Sequence, residues 1–245
     1  MTARPALARR ALAEFLGTGL LVTVVVGSGI AAQELSADVG LQLLENSTAT
    51  VFGLAVLILL LGPVSGAHFN PVVSAADTIL GRRTRTGLRG RELIVYIVAQ
   101  VVGGIGGAVL ANLMFQVPTA IATTERVSAG TLLGEAVATA GLVLLITGLT
   151  RAGQTLPVIA AAVGAYIGAA YWFTSSTSFA NPAVTIGRVF TDTFAGIAPT
   201  SVPPFFAAQI LGAAIGVAAA VVLFTPPPAP VGSHPAAAVS KESLA

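Results

Sequence analysis

The sequence lacks cysteine entirely and contains only two histidines, 12 basic residues and 10 acidic residues in 245 positions. Without cysteine, neither a disulfide framework nor a thiolate metal site can form. No two carboxylates lie close together near a nucleophile, so we predict that the protein is not an enzyme and holds no metal ion or cofactor. The net charge is only +2 and the basic residues are confined to a few loops, which argues against a nucleic-acid partner.

Charge is scarce throughout the chain. Only 9% of the residues are charged and 55% are hydrophobic, with a mean hydropathy of +0.88. Soluble domains carry roughly 25% charged residues, because their surface faces water. We therefore expect the lipid bilayer to be the solvent of this chain. The uncharged apolar stretches predict six membrane spans, near residues 11–31, 45–64, 92–115, 129–150, 156–175 and 203–224.

The basic residues lie mostly on one side of these spans. Six spans place both termini on the same side, and of the 12 basic residues only Arg126 and Arg188 fall elsewhere. The excess of Lys and Arg on the inner side of membrane proteins predicts that both termini are cytoplasmic, in a multi-pass protein of the plasma or inner membrane. We expect a cytoplasmic segment over 1–10, one membrane domain over 11–224 and a disordered cytoplasmic tail over 225–245, which is rich in Pro and Ala.

The two halves of the membrane domain repeat each other, over about 11–115 and 129–224. Glu14 on the first span corresponds to Glu135 on the fourth, with an offset of 121 residues. The Asn-Pro pairs that begin at Asn70 and Asn181 are 111 residues apart. Three spans in each half give the halves opposite topology, and inverted repeats of this kind build a site from broken helices near the bilayer midplane.

Each Asn-Pro pair is predicted to begin a short half-helix, over about 70–80 and 181–190. Asn is a good N-cap, and Pro suits the first helical position because its missing N–H would be unpaired there. The two N-termini would meet in the bilayer centre, where their positive dipole ends repel cations. The extended segments 65–69 and 175–180 must then line a wet pore, because their carbonyl groups cannot face lipid.

Three ionisable residues accompany these segments. Carboxylates within a membrane are costly and often functional, but the duplication of Glu14 and Glu135 favours a structural role as acceptors for loop backbone N–H groups. His68 precedes Asn70 by two residues and either braces its loop or lines the inner vestibule; the sequence leaves both open.

Further side chains receive structural interpretations. Arg188 is assigned a capping or pairing role, for instance with Asp192. Tyr166, Tyr171 and Trp172 are interpreted as part of an aromatic belt at the membrane surface.

The motifs Ser65–Val73 (SGAHFNPVV), Ser178–Val184 (SFANPAV) and Ala13–Thr18 (AEFLGT) resemble those of the major intrinsic proteins, the aquaporins and glycerol facilitators. The resemblance covers roughly residues 8–224. It implies an all-α, aquaporin-like right-handed bundle of six transmembrane helices plus two re-entrant half-helices, and a homotetramer with one pore per subunit. It also implies that the pore motifs are formed by the following residues: Asn70, Pro71, Val72, Asn181, Pro182 and Ala183.

The resemblance also implies a narrow extracellular filter of four residues, which fall on Thr50, Ala169, Ser178 and Val184. Phe52 replaces Thr50 if the alignment is made on Phe52-Gly53-Leu54 instead. The family usually has Arg where this chain has Val184, so we expect a filter wider than that of a strict water channel. With a small residue at this position, the chain resembles the bacterial members of the family that are associated with arsenic resistance.

The resemblance therefore implies a passive channel for water, glycerol-like polyols, arsenite and methylated arsenicals. Two alternatives remain open from the residues alone: a secondary transporter, because inverted repeats and broken helices also occur there, and a sealed structural membrane protein. Coupled transporters keep ionisable groups at the midplane, whereas the midplane here carries Asn and carbonyl groups, which favours the channel.

Overall fold

The computed structural model describes residues 4–82 and 86–224, and over these ranges the chain is helical with no strand. Eight α-helices follow one another: α1 Leu7–Leu35, α2 Val39–Ser65, α3 Pro71–Leu80, α4 Gly90–Met114, α5 Ala129–Arg151, α6 Leu156–Phe173, α7 Pro182–Gly187 and α8 Val202–Leu223. Short 3₁₀ turns lie at Arg188–Phe190 and Pro199–Ser201. All of the helices except α3 and α7 are long and apolar enough to cross a membrane, as predicted. The predicted tail over 225–245 lies outside the described residues.

Three boundaries differ clearly from the prediction. The first span was expected to end at residue 31, but α1 continues to Leu35. The second was expected to begin at residue 45, but α2 begins at Val39, after the N-cap Asp38. A helix can extend beyond its apolar stretch, because its backbone hydrogen bonds are satisfied internally while charged side chains face water. The second half-helix is shorter than expected, since α7 ends at Gly187 and only a 3₁₀ turn continues it.

Glycines bring two pairs of long helices into close contact. A Cβ atom built on Gly103 or Gly107 would lie 2.3 or 2.1 Å from a carbonyl oxygen of α1. One built on Gly212 or Gly216 would lie 2.3 or 2.6 Å from a carbonyl oxygen of α5. Small residues allow membrane helices to approach in this way. The contact of α1 with α4 in the first half thus recurs as the contact of α5 with α8 in the second, and the short helices α3 and α7 lie between the long ones.

Candidate functional site

The N-termini of α3 and α7 are capped by the two Asn residues of the repeat. Asn70 Oδ1 accepts a hydrogen bond from the Val72 backbone N–H at 3.0 Å. Asn181 Oδ1 accepts from the backbone N–H groups of Ala183 and Val184 at 3.0 and 3.3 Å. Pro71 and Pro182 occupy the first helical positions, where a backbone N–H is not needed.

The same two side chains connect the halves of the protein. Asn70 Nδ2 donates to the carbonyl oxygen of Ala180 at 2.8 Å, and Asn181 Nδ2 donates to the carbonyl oxygen of Phe69 at 2.7 Å. The two N-termini therefore meet inside the bundle. An Nδ2 group carries two hydrogens, so each Asn keeps one further donor at this meeting point.

Glu14 organises the first re-entrant segment, which we define as residues 65–80. Its carboxylate is fully buried and accepts from the backbone N–H groups of His68 and Phe69, at 3.0 and 2.7 Å. It also accepts from Ser65 Oγ at 2.6 Å and from Gln100 Nε2 at 2.8 Å. Four donors satisfy the charge of this carboxylate, which explains how it is accommodated in the interior.

Glu135 does the same for the second re-entrant segment, residues 176–190. It is fully buried and accepts from the backbone N–H groups of Phe179 and Ala180, both at 2.8 Å. Ser176 Oγ and Gln209 Nε2 each donate to it at 2.7 Å. Both carboxylates thus act as acceptors for loop backbone groups.

The two loops contain residues with left-handed backbone conformations. The φ angles of Ala67 and Phe69 are 52° and 50°, and those of Ser178 and Ala180 are 53° and 47°. Such a conformation costs a residue other than glycine roughly 1–2 kcal/mol. It persists where surrounding bonds over-determine the backbone, and here the two carboxylates provide these bonds.

One cavity of about 650 Å³ passes both Asn side chains. We call its two ends the terminal mouth, at Gly81, Thr86 and Arg151 on the side where α1 begins and α8 ends, and the distal mouth, at Tyr171 and Arg188. The wall between them is mostly apolar and includes Leu21, Val25, Leu54, Leu142, Ile146 and Ile167.

A second cavity of about 460 Å³ lies beyond the distal mouth, next to Leu43, Arg126 and Asp192. Over the described residues, the two cavities have no lining residue in common.

Three of the four residues predicted for the filter line the main cavity: Thr50, Ser178 and Val184. Thr50 Oγ1 donates to the carbonyl oxygen of Asn46 at 2.8 Å and lies 3.1 Å from Tyr171 Oη. Because the Thr50 hydroxyl hydrogen is used by Asn46, the Tyr171 hydroxyl is the donor of that contact. Phe52, the alternative to Thr50, is 67% exposed on the outside of the bundle.

The structure differs from the prediction at Ala169. This residue is exposed, on the same face of α6 as Ala161 and Ala165, and does not line the cavity. The inward face is formed by Val163, Ile167 and Tyr171, which are spaced four residues apart. The offset counted back from Asn181 was wrong, because the path of the loop between α6 and α7 decides which turn of α6 faces the cavity. The signal that could have identified Tyr171 was its position on the same face of the helix as Val163, two steps of four residues further along the chain.

His68 combines the two roles that the sequence left open. Its Nδ1 lies 3.0 Å from Ser74 Oγ, and its ring packs edge-to-face on Tyr96 with the centroids 5.6 Å apart. It also lines the cavity on the terminal side of Asn70. It therefore braces its loop and contributes to the wall.

Arg188 and Tyr171 were assigned to other roles by the sequence. Arg188 does not pair with Asp192, whose carboxylate accepts from Thr123 N at 2.9 Å; instead Arg188 Nε donates to the carbonyl oxygen of Ala195. Tyr171 is 3% exposed and does not belong to a surface belt. Both side chains line the distal mouth.

Comparison with known proteins agrees with this geometry. A family model described as Major intrinsic protein matches residues 1–177. The chain is 49% identical to aquaglyceroporin AqpS of Rhizobium meliloti over 214 residues, which cover 86% of this chain and 88% of that protein. It is 39% identical to the glycerol uptake facilitator protein of Pseudomonas aeruginosa over 111 residues, 45% of this chain and 37% of that one.

The fold also matches a solved structure. The X-ray structure of the aquaglyceroporin from Plasmodium falciparum superposes with a TM-score of 0.64 at 22% identity, covering 88% of this chain and 94% of that one. At this identity the match shows the fold alone, whereas the family model and the first relative extend over most of the sequence. The chain therefore belongs to the major intrinsic protein family and is a multi-pass membrane channel, not an enzyme.

Proposed function

We propose that this channel passes small uncharged solutes that carry hydroxyl groups: water, glycerol-like polyols, and hydroxylated metalloids such as arsenite and methylated arsenicals. The observation that supports this most directly is the composition of the distal mouth. Thr50, Ser178 and Val184 at this mouth are small and uncharged, and the Arg that the family usually carries at position 184 is absent, so that the charge at the mouth is that of Arg188. We take these three residues, with Tyr171 in place of Ala169, as the filter.

The rest of the cavity suits the same solutes. Its wall is mostly apolar; the two Asn amides contribute polar groups where the half-helices meet, and Thr50, Ser178, Tyr171 and Arg188 contribute others at the distal mouth. A hydroxylated solute can exchange its water for these partners one after another, while the apolar wall offers little to a hydrated ion. The opposed N-termini of α3 and α7 further disfavour cations at the midplane.

Arsenite fits this description because near neutral pH it is an uncharged trihydroxide. It presents hydroxyl groups in a compact arrangement, as glycerol does. Replacing Arg by Val at position 184 removes both volume and a fixed charge, which favours solutes wider than water.

We further propose that both termini are cytoplasmic and that the protein is a homotetramer. The orientation is supported by the distribution of Lys and Arg. Assembly is supported by the exposed stripe of Ala161, Ala165 and Ala169 on α6, since small residues four apart allow membrane helices to pack closely. Native mass spectrometry tests the tetramer, and protease access to an epitope on either terminus in inside-out vesicles tests the orientation.

Purified protein in liposomes tests the function. Stopped-flow permeabilities to water, glycerol, urea and arsenite are expected to exceed those of empty liposomes without any ion gradient. Flux that saturates and requires a proton or sodium gradient would establish a carrier instead. No flux of any solute would establish a sealed protein.

Val184→Arg tests the filter. The added side chain narrows the distal mouth, so we expect it to suppress glycerol and arsenite permeability more than water permeability. Val184→Leu is the control for volume without charge, and we expect a smaller loss. An equal loss for all solutes, or no loss, would remove Val184 from the filter.

A further inference from the structure

A buried cation lies at the distal mouth of the cavity. Arg188 follows the last residue of α7 and stands four positions after Val184 in the chain, which corresponds to about one helical turn. It is only 2% exposed, yet it lines the main cavity together with Tyr171 and Thr50. An ionisable residue at membrane depth is costly and, where it faces a water-filled cavity, marks the path of the solute.

The surroundings of Arg188 hold its guanidinium in one orientation. Its Nε donates to the carbonyl oxygen of Ala195, and its guanidinium carbon lies 3.6 Å from the centre of the Phe179 ring. Its Nη1 and Nη2 atoms donate to no other residue within 4–82 and 86–224. The four N–H groups on these two atoms thus have no acceptor among the described residues, and the side chain lines the cavity.

A second arginine lies close by but is held differently. The guanidinium carbon of Arg126 lies 5.4 Å from the centre of the Phe179 ring. Its Nε and Nη2 donate to the carbonyl oxygens of Gly196 and Phe194 at 2.6 and 2.8 Å. Of the two cavities, Arg126 lines only the second. Arg126 and Arg188 therefore lie near the same aromatic ring, but Arg126 does not line the main cavity.

Among the described residues, no carboxylate forms an ion pair with Arg188. The acidic side chain that lines the described wall is Asp77, which lies at the terminal mouth, on the far side of Asn70. The ion pairs of the described residues join Glu92 to Arg4 and Arg10 and do not involve Arg188.

The distal mouth also offers an acceptor. Tyr171 donates its hydroxyl hydrogen to Thr50 Oγ1, which leaves the lone pairs of Tyr171 Oη available. A hydroxylated solute at this point can therefore accept from Arg188 and donate to Tyr171.

We propose that Arg188 is the specificity-determining cation of this channel, acting one turn beyond Val184. It donates to the oxygens of a passing solute, and its positive charge excludes cations, including protons carried as hydronium. An arginine in the filter would set both the width and the charge of the pore at one position. Here Val184 sets the width and Arg188 supplies the charge. This inference rests on the proposed channel function.

The test compares three variants in liposomes: Arg188→Gln, Arg188→Lys and the matched control Arg126→Gln. Trapped pH- and potassium-sensitive dyes report ion leak, and stopped-flow light scattering reports water and glycerol. We expect Arg188→Gln to raise the proton or potassium leak by at least about tenfold, because the unit charge that lines the cavity at its distal mouth no longer opposes cations. Arg126→Gln is expected to keep the ion leak of the unmodified protein, since Arg126 lies outside the main cavity.

Arg188→Lys separates charge from hydrogen bonding. Lys retains the positive charge but not the planar fork of donors. We expect it to exclude ions as the unmodified protein does and to lower the ratio of glycerol to water permeability, by about tenfold if one hydrogen bond to a charged group is lost. If Arg188→Gln does not fold, Arg188→Lys still tests the role of Arg188, since an unchanged ratio of glycerol to water permeability would overturn the inference.

The two proposals fail in distinguishable ways. If the unmodified protein conducts no neutral solute, the channel function is wrong. If it conducts glycerol, and a folded Arg188→Gln variant remains as tight to ions and as selective as the unmodified protein, only the role of Arg188 is wrong.

Discussion

The first re-entrant segment, 65–80, and the second, 176–190, share their pattern of hydrogen bonds but differ in several of their side chains. In each, a buried carboxylate accepts from two successive backbone N–H groups, on Glu14 in one case and Glu135 in the other. A Gln side chain then links each carboxylate to the half-helix, with Gln100 Nε2 donating to Ser74 Oγ at 3.0 Å and Gln209 Nε2 to Thr185 Oγ1 at 3.0 Å. What the repeat preserves is therefore the support of the backbone.

The packing beneath the two loops differs. The Phe69 ring lies against Gly17, where a Cβ atom would come within 1.9 Å of Phe69 Cε1. At the corresponding positions of the second half stand Ala180 and Ala138, both fully buried. A large residue faces a small one in the first half, and two small residues replace them in the second. The two halves therefore differ in the packing beneath their loops, although they keep the same hydrogen bonds to the loop backbone.

The ends of the two half-helices differ in charge. Asp77 on α3 and Arg188 after α7 occupy equivalent positions, 111 residues apart, and both line the cavity. Asp77 Oδ2 accepts from the Leu88 backbone N–H at 2.8 Å and so supports the loop that leads into α4. Arg188 keeps two nitrogen atoms for the cavity. In our proposal, one end of the duplicated scaffold thus supports a loop and the other selects solutes.

The largest expected effect tests the shared scaffold. Glu14→Gln and Glu135→Gln each replace an acceptor oxygen with an amide donor that faces other donors, at a cost of about 3 kcal/mol. We expect both to lower the unfolding temperature in detergent by similar amounts, followed by the fluorescence of Trp172. Glu34→Gln, at an exposed carboxylate, is the control. A large effect in only one half would break the equivalence of the two scaffolds.

A smaller effect tests the difference in packing. Gly17→Ala forces a methyl group into the Phe69 ring and is expected to destabilise the protein by about 2 kcal/mol. Adding Phe69→Ala makes the first half resemble the second, so the double variant should lose less stability than the sum of the two single variants. Ala138→Gly in the second half is expected to cost only about 1 kcal/mol. Additive single and double variants would show that Gly17 and Phe69 are not coupled.

The smallest expected effect concerns the turn before each Asn-Pro pair. Gly66 and Thr177 are equivalent, and both have positive φ angles, of 94° and 61°. A β-branched residue is strained in this conformation, so Thr177→Gly should stabilise the protein by about 1 kcal/mol. Gly66→Ala should destabilise it by a similar amount. Thermal unfolding that shifts in the same direction for both would contradict this account of the backbone.

Much of the site could be predicted because it depends on short-range or duplicated features. Asn-Pro favours the start of a helix, and two such pairs in register with two carboxylates leave few arrangements that satisfy every group. Thr50 and Ala169 were both placed by counting back from an Asn-Pro pair across an irregular loop. The loop before Asn70, residues 66–69, is shorter than the loop before Asn181, residues 174–180, and only the first count reached a residue that lines the cavity.

The sequence by itself determined the solvent of this protein, its six spans, its inverted repeat and the origin of each half-helix, because hydropathy, helix capping and duplication are written in neighbouring residues. Only the tertiary structure decided that Tyr171 rather than Ala169 faces the cavity, and that Arg188 reaches it one turn beyond Val184. These two outcomes depend on the rotation of α6 and on the end of α7 at Gly187. Both are set by contacts between segments distant in the chain, and no local pattern records them.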